Sequence, residues 1–475
     1  MRILLEEIPF TPHLERVFAK VYQSCPYAFW LDGNLLVKGM SRYSFMGANP
    51  RFLVKINKGV TQITFSNRRH QTLSINPFLA LQKILDDYKV DSQYDFIPFL
   101  GGMIGYLGYE MKQYADKISN QSNEFFSLPE AWWMFVDQVL IHDHIEQKTW
   151  LSYLVIDEQP EIAQYNMKRE IERIRGASEQ VLPELPLCSP QINMDDISFL
   201  AKETKQSYIK KVNKIKSYIA QGDIYQACFT YPITTSIDDP FTLYRLLRQI
   251  NPAPFSSYIQ FGNLSILSTS PERFVKLDSK RCLESRPIKG TRPRSSDAKL
   301  DQITIEDLVS SEKDRAENLM IVDLVRNDFG KVCMTGQVWV PDLLQVESYA
   351  TVHQLVSTVR GKLLPEIKIM EAIKAVFPGG SMTGAPKIRA MELLNELENE
   401  RRGIYSGGLG YLDVRGNFDL SMVIRTIICC SRQALLHVGG GIVTDSDPEK
   451  EYQETRDKAY ALKKAILQVK NSYVH

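Results

Sequence analysis

The clearest chemical pattern in the 475-residue chain lies near its C-terminus, where a run of glycines precedes a helix with charged side chains on one face. Gly439–Gly441 follow a strand-like pair, and Pro448 then opens the helix. Three side chains at spacings i, i+3 and i+7 share a face of that helix: Glu451, Glu454 and Lys458. Glycines let backbone N–H groups approach an anion, and same-face carboxylates suit Mg2+, which takes few protein carboxylates plus water and substrate oxygens. The pattern predicts an anion and magnesium site, although a solvated helix face after a turn has the same spacing.

Three further segments carry charged groups that could act together with this helix. Residues 313–318 place charges directly before an apolar run, and Glu272 ends a strand within Ser-Pro-Glu. Residues 286–292 form a turn that presents Lys289 between two arginines. Neighbouring positive charges favour the neutral, nucleophilic form of an amine. A basic surface loop would explain the same segment.

The composition is that of an ordinary globular protein. Lys and Arg total 57, Asp and Glu total 56, and 44% of residues are hydrophobic, which excludes disorder, collagen and coiled coil. The formal charge of +1 gives no general attraction to polyanions, so nucleic acid is not an expected partner. We find no apolar stretch long enough to span a membrane, no signal peptide and no CxxC pair among the seven cysteines. A cytoplasmic protein with free thiols and no membrane contact is expected.

The elements that must position these residues fall into two regions. Residues 1–157 indicate short strands and turns with one helix, residues 158–200 a polar helix and a proline-rich linker (177–196), and residues 201–475 mixed strands and amphipathic helices. Strands without regular βαβ alternation predict an α+β fold. The predicted strands are 51–56, 131–144, 225–231, 256–261 and 422–429, and the predicted helices are 76–88, 161–176, 208–222, 386–397 and 448–469.

Taken together, the segments after residue 201 resemble the chorismate-utilising enzymes, and within them the aminodeoxychorismate synthase branch. The resemblance rests on an unbroken series of motifs: Gly222–Gln226, Ser270–Phe274, Pro287–Thr291, Lys313–Asp323, Arg326–Asp328, Val352–His353, Phe377–Lys387, Tyr405–Leu412, Ile424–Thr426 and Gly439–Lys458. A weaker match at Gly101–Glu110 covers the N-terminal region, which is similar to that of anthranilate synthase component I. The resemblance implies two large antiparallel β-sheets packed as a sandwich with helices on the outside, and a chorismate-binding catalytic region over residues 201–475.

The resemblance also implies how the substrate is bound. Chorismate, a dianion, would bind through Mg2+, with Glu317 and Glu454 as direct metal ligands and Asp314 and Glu451 near the metal's waters. An arginine fork binds a carboxylate with two hydrogen bonds, which suits the implied role of Arg425. The residues implied to contact the substrate are Gln226, Thr291, Ser381, Thr383, Tyr405, Arg425, Gly439, Gly440, Gly441 and Lys458.

Lys289 is the residue that distinguishes this branch. Relatives that make anthranilate or isochorismate generally have alanine at this turn. The implied mechanism has Lys289 attack C2 of chorismate while Glu272, as general acid, protonates the departing C4 hydroxyl, with His353 assisting near that hydroxyl. Ammonia then adds at C4 and expels the lysine, giving 4-amino-4-deoxychorismate. Gln226 supports this reading, because water-using relatives carry a lysine there as general base.

The resemblance implies a magnesium-dependent transferase of the transaminase class that serves p-aminobenzoate and folate biosynthesis. A glutamine amidotransferase (glutaminase) subunit is the expected source of ammonia, which is mostly ammonium at neutral pH. Two alternatives stay open. Anthranilate synthase component I shares these residues except Lys289. A non-catalytic chorismate-binding regulatory subunit would not need the acid, metal ligands and nucleophile.

One segment departs from the pattern of the relatives that bind tryptophan. Their Leu-Leu-Glu-Ser stretch is replaced here by Phe29–Gly33, whereas the following motif, Ser41–Phe45, is present. The resemblance therefore implies a pocket around Ser41, while the changed segment argues against feedback inhibition by tryptophan.

Overall fold

The computed structural model describes residues 1–91, 94–116, 118, 123–186, 198–349 and 352–472. Its strands are β1 (Arg2–Ile8), β2 (Tyr27–Asp32), β3 (Tyr43–Ala48), β4 (Phe52–Asn57), β5 (Val60–Phe65), β6 (His70–Leu73), β7 (Gly102–Leu107), β8 (Ala131–Val136), β9 (Gln138–Asp143), β10 (Lys148–Val155), β11 (Leu200–Ala201), β12 (Gln226–Ser236), β13 (Phe255–Phe261), β14 (Leu264–Ser270), β15 (Arg273–Leu277), β16 (Cys282–Ser285), β17 (Ile288–Pro293), β18 (Cys333–Ser348), β19 (Val352–Leu363), β20 (Gly384–Ala385), β21 (Gly408–Asp413), β22 (Phe418–Met422), β23 (Thr426–Cys430) and β24 (Gln433–Ile442).

The α-helices of the same residues lie mainly in the second half of the chain. They are α1 (Leu14–Val17), α2 (Pro77–Asp87), α3 (Lys112–Ala115), α4 (Pro160–Glu179), α5 (Lys205–Ala220), α6 (Pro240–Ile250), α7 (Ala298–Ser310), α8 (Glu312–Gly330), α9 (Ile369–Val376), α10 (Lys387–Leu397) and α11 (Pro448–Ser472). A π-helical turn (Phe18–Tyr22) continues α1, and short 3-10 turns occupy Tyr109–Met111 and Gly380–Met382.

The strands form two large sheets in which all neighbours are antiparallel. The first has the order β1-β10-β9-β3-β2-β13-β14-β23-β24-β12-β11 with β20 beside β12, and the second has the order β17-β19-β16-β15-β22-β21-β7-β8-β4-β5-β6 with β18 beside β19. Each sheet takes five strands from the chain before residue 158 and the others from the chain after residue 199. The two parts meet where β2 pairs with β13 and β7 pairs with β21. Neither part of the chain builds a sheet alone.

Three layers of buried side chains hold the sheets and helices together. Phe29 and Ile104 belong to the core between the two sheets, whereas Trp30 packs with α5, α6 and α11 on the outer face of the first sheet. Because successive side chains of a strand point to opposite faces, the neighbours Phe29 and Trp30 enter different layers. On the second sheet, Phe135 lies in an outer layer with α2, α8 and α9. The α+β sandwich with helices on its outside is confirmed.

Two predicted strands are broken where the chain changes sheet. The predicted strand 131–144 is two strands, β8 in the second sheet and β9 in the first, separated by Asp137. The predicted strand 422–429 is interrupted between β22 and β23, where Arg425 adopts a left-handed backbone with φ of +51°. A periodicity of two cannot reveal such a crossing, since both sheets present the same alternation.

The predicted helices are present at similar bounds. In α5 the side chains of Tyr208, Val212 and Ile215 are buried, Thr204 caps the helix by accepting from Ser207 N, and the chain leaves the helix before Gly222 at φ of +81°. Residues 187–197, most of the predicted linker, and Cys188 lie outside the described residues. The other six cysteines are free. Among the described helices, none is both long and apolar enough to cross a membrane.

Candidate active site

Lys289 is directed by an irregularity in β17. The pairing of β17 with β19 shifts between Lys289 and Thr291, and the intervening Gly290 has φ of +76°. A Cβ on Gly290 would lie 2.8 Å from Leu308 Cδ1 and 2.9 Å from Asp314 Cγ, so both space and backbone favour glycine. The bulge leaves Lys289 Nζ 3.6 Å from Glu317 Oε2 on α8.

The arginines beside Lys289 in the sequence bind acids elsewhere. Arg286 pairs with Glu347, and Arg292 lies 2.6 Å from Asp307 Oδ2 and 3.0 Å from Asp314 Oδ2. The expected activation of Lys289 by adjacent arginines is therefore not what the geometry provides. Lys289 forms its ion pair with a carboxylate, that of Glu317.

The acidic groups of α8 and α11 lie among lysine ammonium groups. Lys313 Nζ is 3.0 Å from Glu451 Oε1 and 3.9 Å from Glu317 Oε1, and Lys458 Nζ is 2.7 Å from Glu454 Oε1. Burial raises the pKa of Glu317, although nearby lysines oppose the rise. Burial also acts to raise the pKa of Glu454, but Lys458 and the other lysines outweigh it and the pKa is lowered. Positive charge already compensates these carboxylates.

The predicted metal ligands are all carboxylates, the donor type that Mg2+ prefers. Asp314 accepts from Arg292, and no group of three or more His, Cys, Asp or Glu side chains close enough for a metal ion occurs in the described ranges. Mg2+ commonly uses only one or two protein carboxylates, which Glu317 and Glu454 can supply. Gly440 leaves space beside the acids of α11, since a Cβ there would lie 3.1 Å from Glu451 Oε2.

Gln226 and Gly441 complete the surroundings of Lys289. A Cβ on Gly441 would lie 2.7 Å from Gln226 Nε2 and 3.2 Å from Lys289 Nζ, so these three residues converge. Gln226 is fully buried, and neither its Oε1 nor its Nε2 has a hydrogen-bond partner within the described residues. The buried hydroxyl of Tyr208, near Gly440, is unpaired in the same way. Unpaired buried atoms also occur away from this site, as at Trp133 Nε1, so it is the convergence of Gln226 and Gly441 on Lys289 that marks them as candidate ligand contacts.

Glu272 lies where the chain passes from β14 in the first sheet to β15 in the second. Ser381 Oγ donates to Glu272 Oε1 at 2.8 Å, and Met422 N donates to the Glu272 carbonyl at 3.0 Å. Burial raises the pKa of Glu272 to about 7, although the Ser381 hydrogen bond and the charges of Lys289 and Lys458 lower it. A carboxyl group with this pKa is partly protonated at neutral pH and can act as a general acid.

The loop that carries Ser381 is held by its own hydrogen bonds and by Arg402. Thr383 Oγ1 lies 3.2 Å from the Gly379 carbonyl oxygen and 3.3 Å from that of Gly380, both of which accept from it. Arg402 Nη1 donates to the Met382 carbonyl at 2.6 Å. Thr383 therefore turns toward its own loop.

The other predicted substrate contacts lie in two adjoining places. Tyr405 is buried and stacks on His437, with ring centroids 5.0 Å apart, and Lys458 Nζ donates to Gly439 O at 2.9 Å. Thr291 and Arg425 line a separate pocket of about 90 Å3. Burial lowers the pKa of Arg425, although Tyr405 and Glu454 oppose the shift.

His353 faces a different set of partners from the predicted one. Its Nδ1 lies 2.7 Å from Ser348 Oγ, and its Nε2 lies 2.9 Å from Asp301 Oδ1. Both ring nitrogens are thus engaged by β18 and α7. An assisting role at the substrate hydroxyl stays a prediction that requires these bonds to rearrange.

Lys313, Tyr208 and Arg402 were not among the predicted site residues. Lys313 stands in a recognised motif, so its charge was a usable signal. Tyr208 resembles any apolar residue of the buried face of α5, and Arg402 follows a surface-like run of charged residues. Only the packing of distant segments shows their positions.

Ser41 borders a second, larger cavity of about 570 Å3, which lies between β2, β3, β13 and β21. Its hydroxyl donates to Leu35 O and accepts from Val37 N at 3.0 Å, so it closes a local turn. Mostly apolar side chains line the cavity, including Tyr43, Phe45 and Tyr411. Which ligand it takes stays a prediction.

Comparisons with known proteins place this geometry in context. A model of the chorismate binding enzyme family matches residues 22–464. The aminodeoxychorismate synthase of Streptomyces pristinaespiralis is 38% identical over 98% of this chain, which spans 65% of that protein's length. The aminodeoxychorismate synthase component 1 of Bacillus subtilis is 34% identical, with 90% of this chain and 89% of that protein covered. The crystal structure of anthranilate synthase component I from Streptococcus pneumoniae superposes with a TM-score of 0.77 at 31% identity, covering 90% of this chain and 93% of that chain.

Proposed function

The chain belongs to the chorismate binding enzyme family, and from that premise we propose that it is an aminodeoxychorismate synthase component I, which converts chorismate and ammonia to 4-amino-4-deoxychorismate. The observation that carries the proposal is the position of Lys289. Its Nζ lies beside Glu317 and near both Gln226 and Gly441, among the groups proposed to bind metal and substrate.

In this proposal Lys289 and Glu272 perform the first step together. Lys289 reacts as the neutral amine: its nitrogen forms a bond to C2, Glu272 gives its proton to the C4 hydroxyl, which leaves as water, and the two ring double bonds shift. Ammonia then forms a bond to C4, the bond between C2 and Lys289 breaks, and the double bonds return. The proton that the new amine loses restores the Glu272 carboxyl. The reaction therefore returns both residues to their starting state.

The carboxylates of α8 and α11 suit a divalent cation at the substrate. Glu317 and Glu454 would hold Mg2+, with Glu451 and Asp314 near its waters, and the cation would supply positive charge for the substrate carboxylates. Lys313 and Lys458 now neutralise Glu451 and Glu454. Lys458 is also close enough to Gly439 to help hold an anionic ligand at the glycines.

We further propose that the ammonia comes from glutamine through a glutaminase partner. Free ammonia is a minor species at neutral pH, and the name of the Bacillus subtilis relative, component 1, implies a second component. The product would enter p-aminobenzoate and folate biosynthesis. Adding a glutaminase subunit of an aminodeoxychorismate synthase together with glutamine should support turnover at low ammonium, and no gain in rate would contradict this partner.

Product identification tests the proposal. Incubation with chorismate, Mg2+ and ammonium chloride should give 4-amino-4-deoxychorismate, detected by mass and chromatography. Lys289→Ala should lower the rate by on the order of a thousandfold because the nucleophile is lost. Lys362→Ala, which removes a lysine bonded to Lys280 O on the same sheet, is the matched control and should keep the rate.

The second candidate is anthranilate synthase component I, favoured by the Streptococcus pneumoniae structure. It would use the same acid and metal ligands without a covalent lysine. Direct formation of fluorescent anthranilate by the wild-type chain, unaffected by Lys289→Ala, would replace the first proposal with this one. A chain that binds chorismate and releases no product would instead be a regulatory subunit.

A further inference from the structure

A small cavity adjoins the proposed general acid. It has a volume of about 20 Å3, and both Glu272 and Ser381 line it. Its apolar wall includes Ile321, Val325 and Val376. The residues proposed to bind the substrate carboxylates, such as Tyr405 and Arg425, do not line it, and neither do the proposed metal ligands.

The size of the cavity restricts what it can hold. A cavity in which roughly 10–15 Å3 is open to the centre of a water-sized sphere accommodates one water molecule. The cavity therefore fits one molecule of the size of water or ammonia, and a methyl group in addition would fill the remaining space. Ring-sized ligands are excluded.

The polar wall offers hydrogen-bond acceptors. Ser285 Oγ donates its proton to Phe274 O at 2.8 Å, and Ser381 Oγ donates to Glu272, so both hydroxyl oxygens keep free lone pairs. Asp328 adds a carboxylate to the lining. Ammonia has three N–H donors and one lone pair, so a wall of acceptors can hold its N–H groups and leave the nucleophilic lone pair free.

Lysine side chains balance the acidic groups at the cavity. Lys387 Nζ lies 2.5 Å from Asp328 Oδ2, and Lys331 Nζ lies 2.7 Å from Asp328 Oδ1. The two ammonium groups offset the Asp328 carboxylate and the second acid of the wall, Glu272. The cavity therefore carries no excess negative charge that would select ammonium over neutral ammonia.

We propose that this cavity is the ammonia site, which holds one NH3 beside Glu272 until C4 of the substrate is open to attack. The inference rests on the proposed function, in which the amine replaces the hydroxyl that Glu272 protonates. Ammonia then approaches C4 from the side of Glu272, which receives the proton that the new amine loses. The N–C4 bond forms as the bond from C2 to Lys289 breaks, and the proton passes to the Glu272 carboxylate.

Filling the cavity tests this site. Val376→Ile adds one methyl group to its wall and should raise the KM for ammonium roughly tenfold, while the KM for chorismate stays unchanged. Val54→Ile is the matched control, because Val54 is fully buried in the same outer core but does not line the cavity. Its KM for ammonium should equal that of the wild type. Thermal melting of each variant shows that the fold is kept.

Opening the cavity gives a second, independent readout. Ile321→Ala removes three carbons from the wall and should let methylamine act as the nucleophile, giving a product heavier by one CH2 group in mass spectrometry. The wild type should exclude methylamine. This variant keeps the inference testable if the added methyl group of Val376→Ile prevents folding.

The outcomes separate the two proposals. If the wild type forms 4-amino-4-deoxychorismate but the KM for ammonium is unchanged in Val376→Ile, or rises together with the KM for chorismate, the ammonia site is wrong and the function stands. Failure of a folded Ile321→Ala enzyme to use methylamine also contradicts the site. If the wild type forms no 4-amino product, the proposed function fails and the ammonia site with it.

Discussion

Two neighbouring groups of buried polar side chains differ in how completely their hydrogen bonds are made. Arg402, fully buried, uses all five of its guanidinium N–H groups: it donates twice to Glu398 and once each to Met382 O, Ser406 Oγ and Cys228 O. In the candidate active site, the amide of Gln226 and the hydroxyl of Tyr208 are buried without a partner in the part of the chain that the structure describes.

The protein itself supplies the partners of Arg402, whereas the described residues supply none for the Gln226 amide. Each buried polar atom without a partner costs about 1–3 kcal/mol, so folding alone would not favour Gln226. A substrate that bonds to the amide can recover this cost. The Arg402–Glu398 pair needs no ligand, because its bonds are complete.

The Arg402–Glu398 pair also positions residues of the candidate active site. Arg402 ties the Met382 carbonyl, next to Ser381, to the Cys228 carbonyl on β12, two residues after Gln226. Glu398 Oε1 accepts from both N and Oγ1 of Thr230 at 3.0 Å. One ion pair thereby joins the loop that carries the partner of Glu272 to the strand that carries Gln226.

Arg402→Met should give the largest effect, because it removes the cation of the Arg402–Glu398 pair. It leaves the Glu398 carboxylate buried without its cation, so the free energy of unfolding should fall by about 3–5 kcal/mol, measured by denaturant unfolding. Arg432→Met is the control: Arg432 pairs with Asp238, both side chains are exposed, and its removal should leave the midpoint nearly unchanged. Equal midpoints for Arg402→Met and wild type would show that the pair does not hold the fold.

The sequence predicts the fold class better than the path of the chain. Ordered motifs from Gly222 to Lys458 imply the sandwich, and its helices are found near the predicted bounds. The crossings at Asp137 and Arg425 are not predictable from local patterns, because strand alternation is the same in both sheets. Nor does any local pattern show that β2 pairs with β13, more than 200 residues later.

A site residue is predictable from the sequence when a short motif shows its chemistry, and not when its partners come from distant segments. Lys289 and Glu272 stand in short motifs whose chemistry is visible in the residues themselves. Lys387, which donates to Asp328, and the carbonyls of Met382 and Cys228, which accept from Arg402, come from segments far apart in the chain, so no single motif contains both partners. The arginines next to Lys289 illustrate the reverse error, since sequence neighbours need not be spatial neighbours of the same group.

Glu272→Gln should give the next largest effect and tests the proposed general acid of the candidate active site. We expect kcat to fall roughly a hundredfold, because the amide cannot protonate the C4 hydroxyl. Since the pKa of Glu272 is raised to about 7, the protonated form exists below that pH and is lost above it. At a constant concentration of free NH3, the wild-type kcat/KM for chorismate should therefore decrease as pH rises through about 7, and the decrease should be absent in the variant.

Glu110→Gln supplies the matched control for this pH dependence. Burial raises the pKa of Glu110 as well, but Glu110 lies outside the candidate active site, where it accepts from Arg402 N. Its replacement should leave the pH profile in place. A pH profile that changes with Glu110→Gln and not with Glu272→Gln would show that the titrating acid is Glu110 and not Glu272.

Gln226→Met should give the smallest effect and has the opposite sign for stability. Replacing an unpaired buried amide by an apolar side chain of similar shape should raise the free energy of unfolding of the ligand-free protein by about 1 kcal/mol, whereas activity should fall because the bond to the ligand is lost. Gln113→Met is the control: Gln113 Nε2 donates to Glu130 Oε1 at 2.8 Å, so its loss should not stabilise the protein. If Gln226→Met instead destabilises the protein as Gln113→Met does, the amide has a partner in the ligand-free fold. The contrast between the two polar groups would then be wrong, because a side chain held for a ligand alone cannot stabilise the protein in the absence of that ligand.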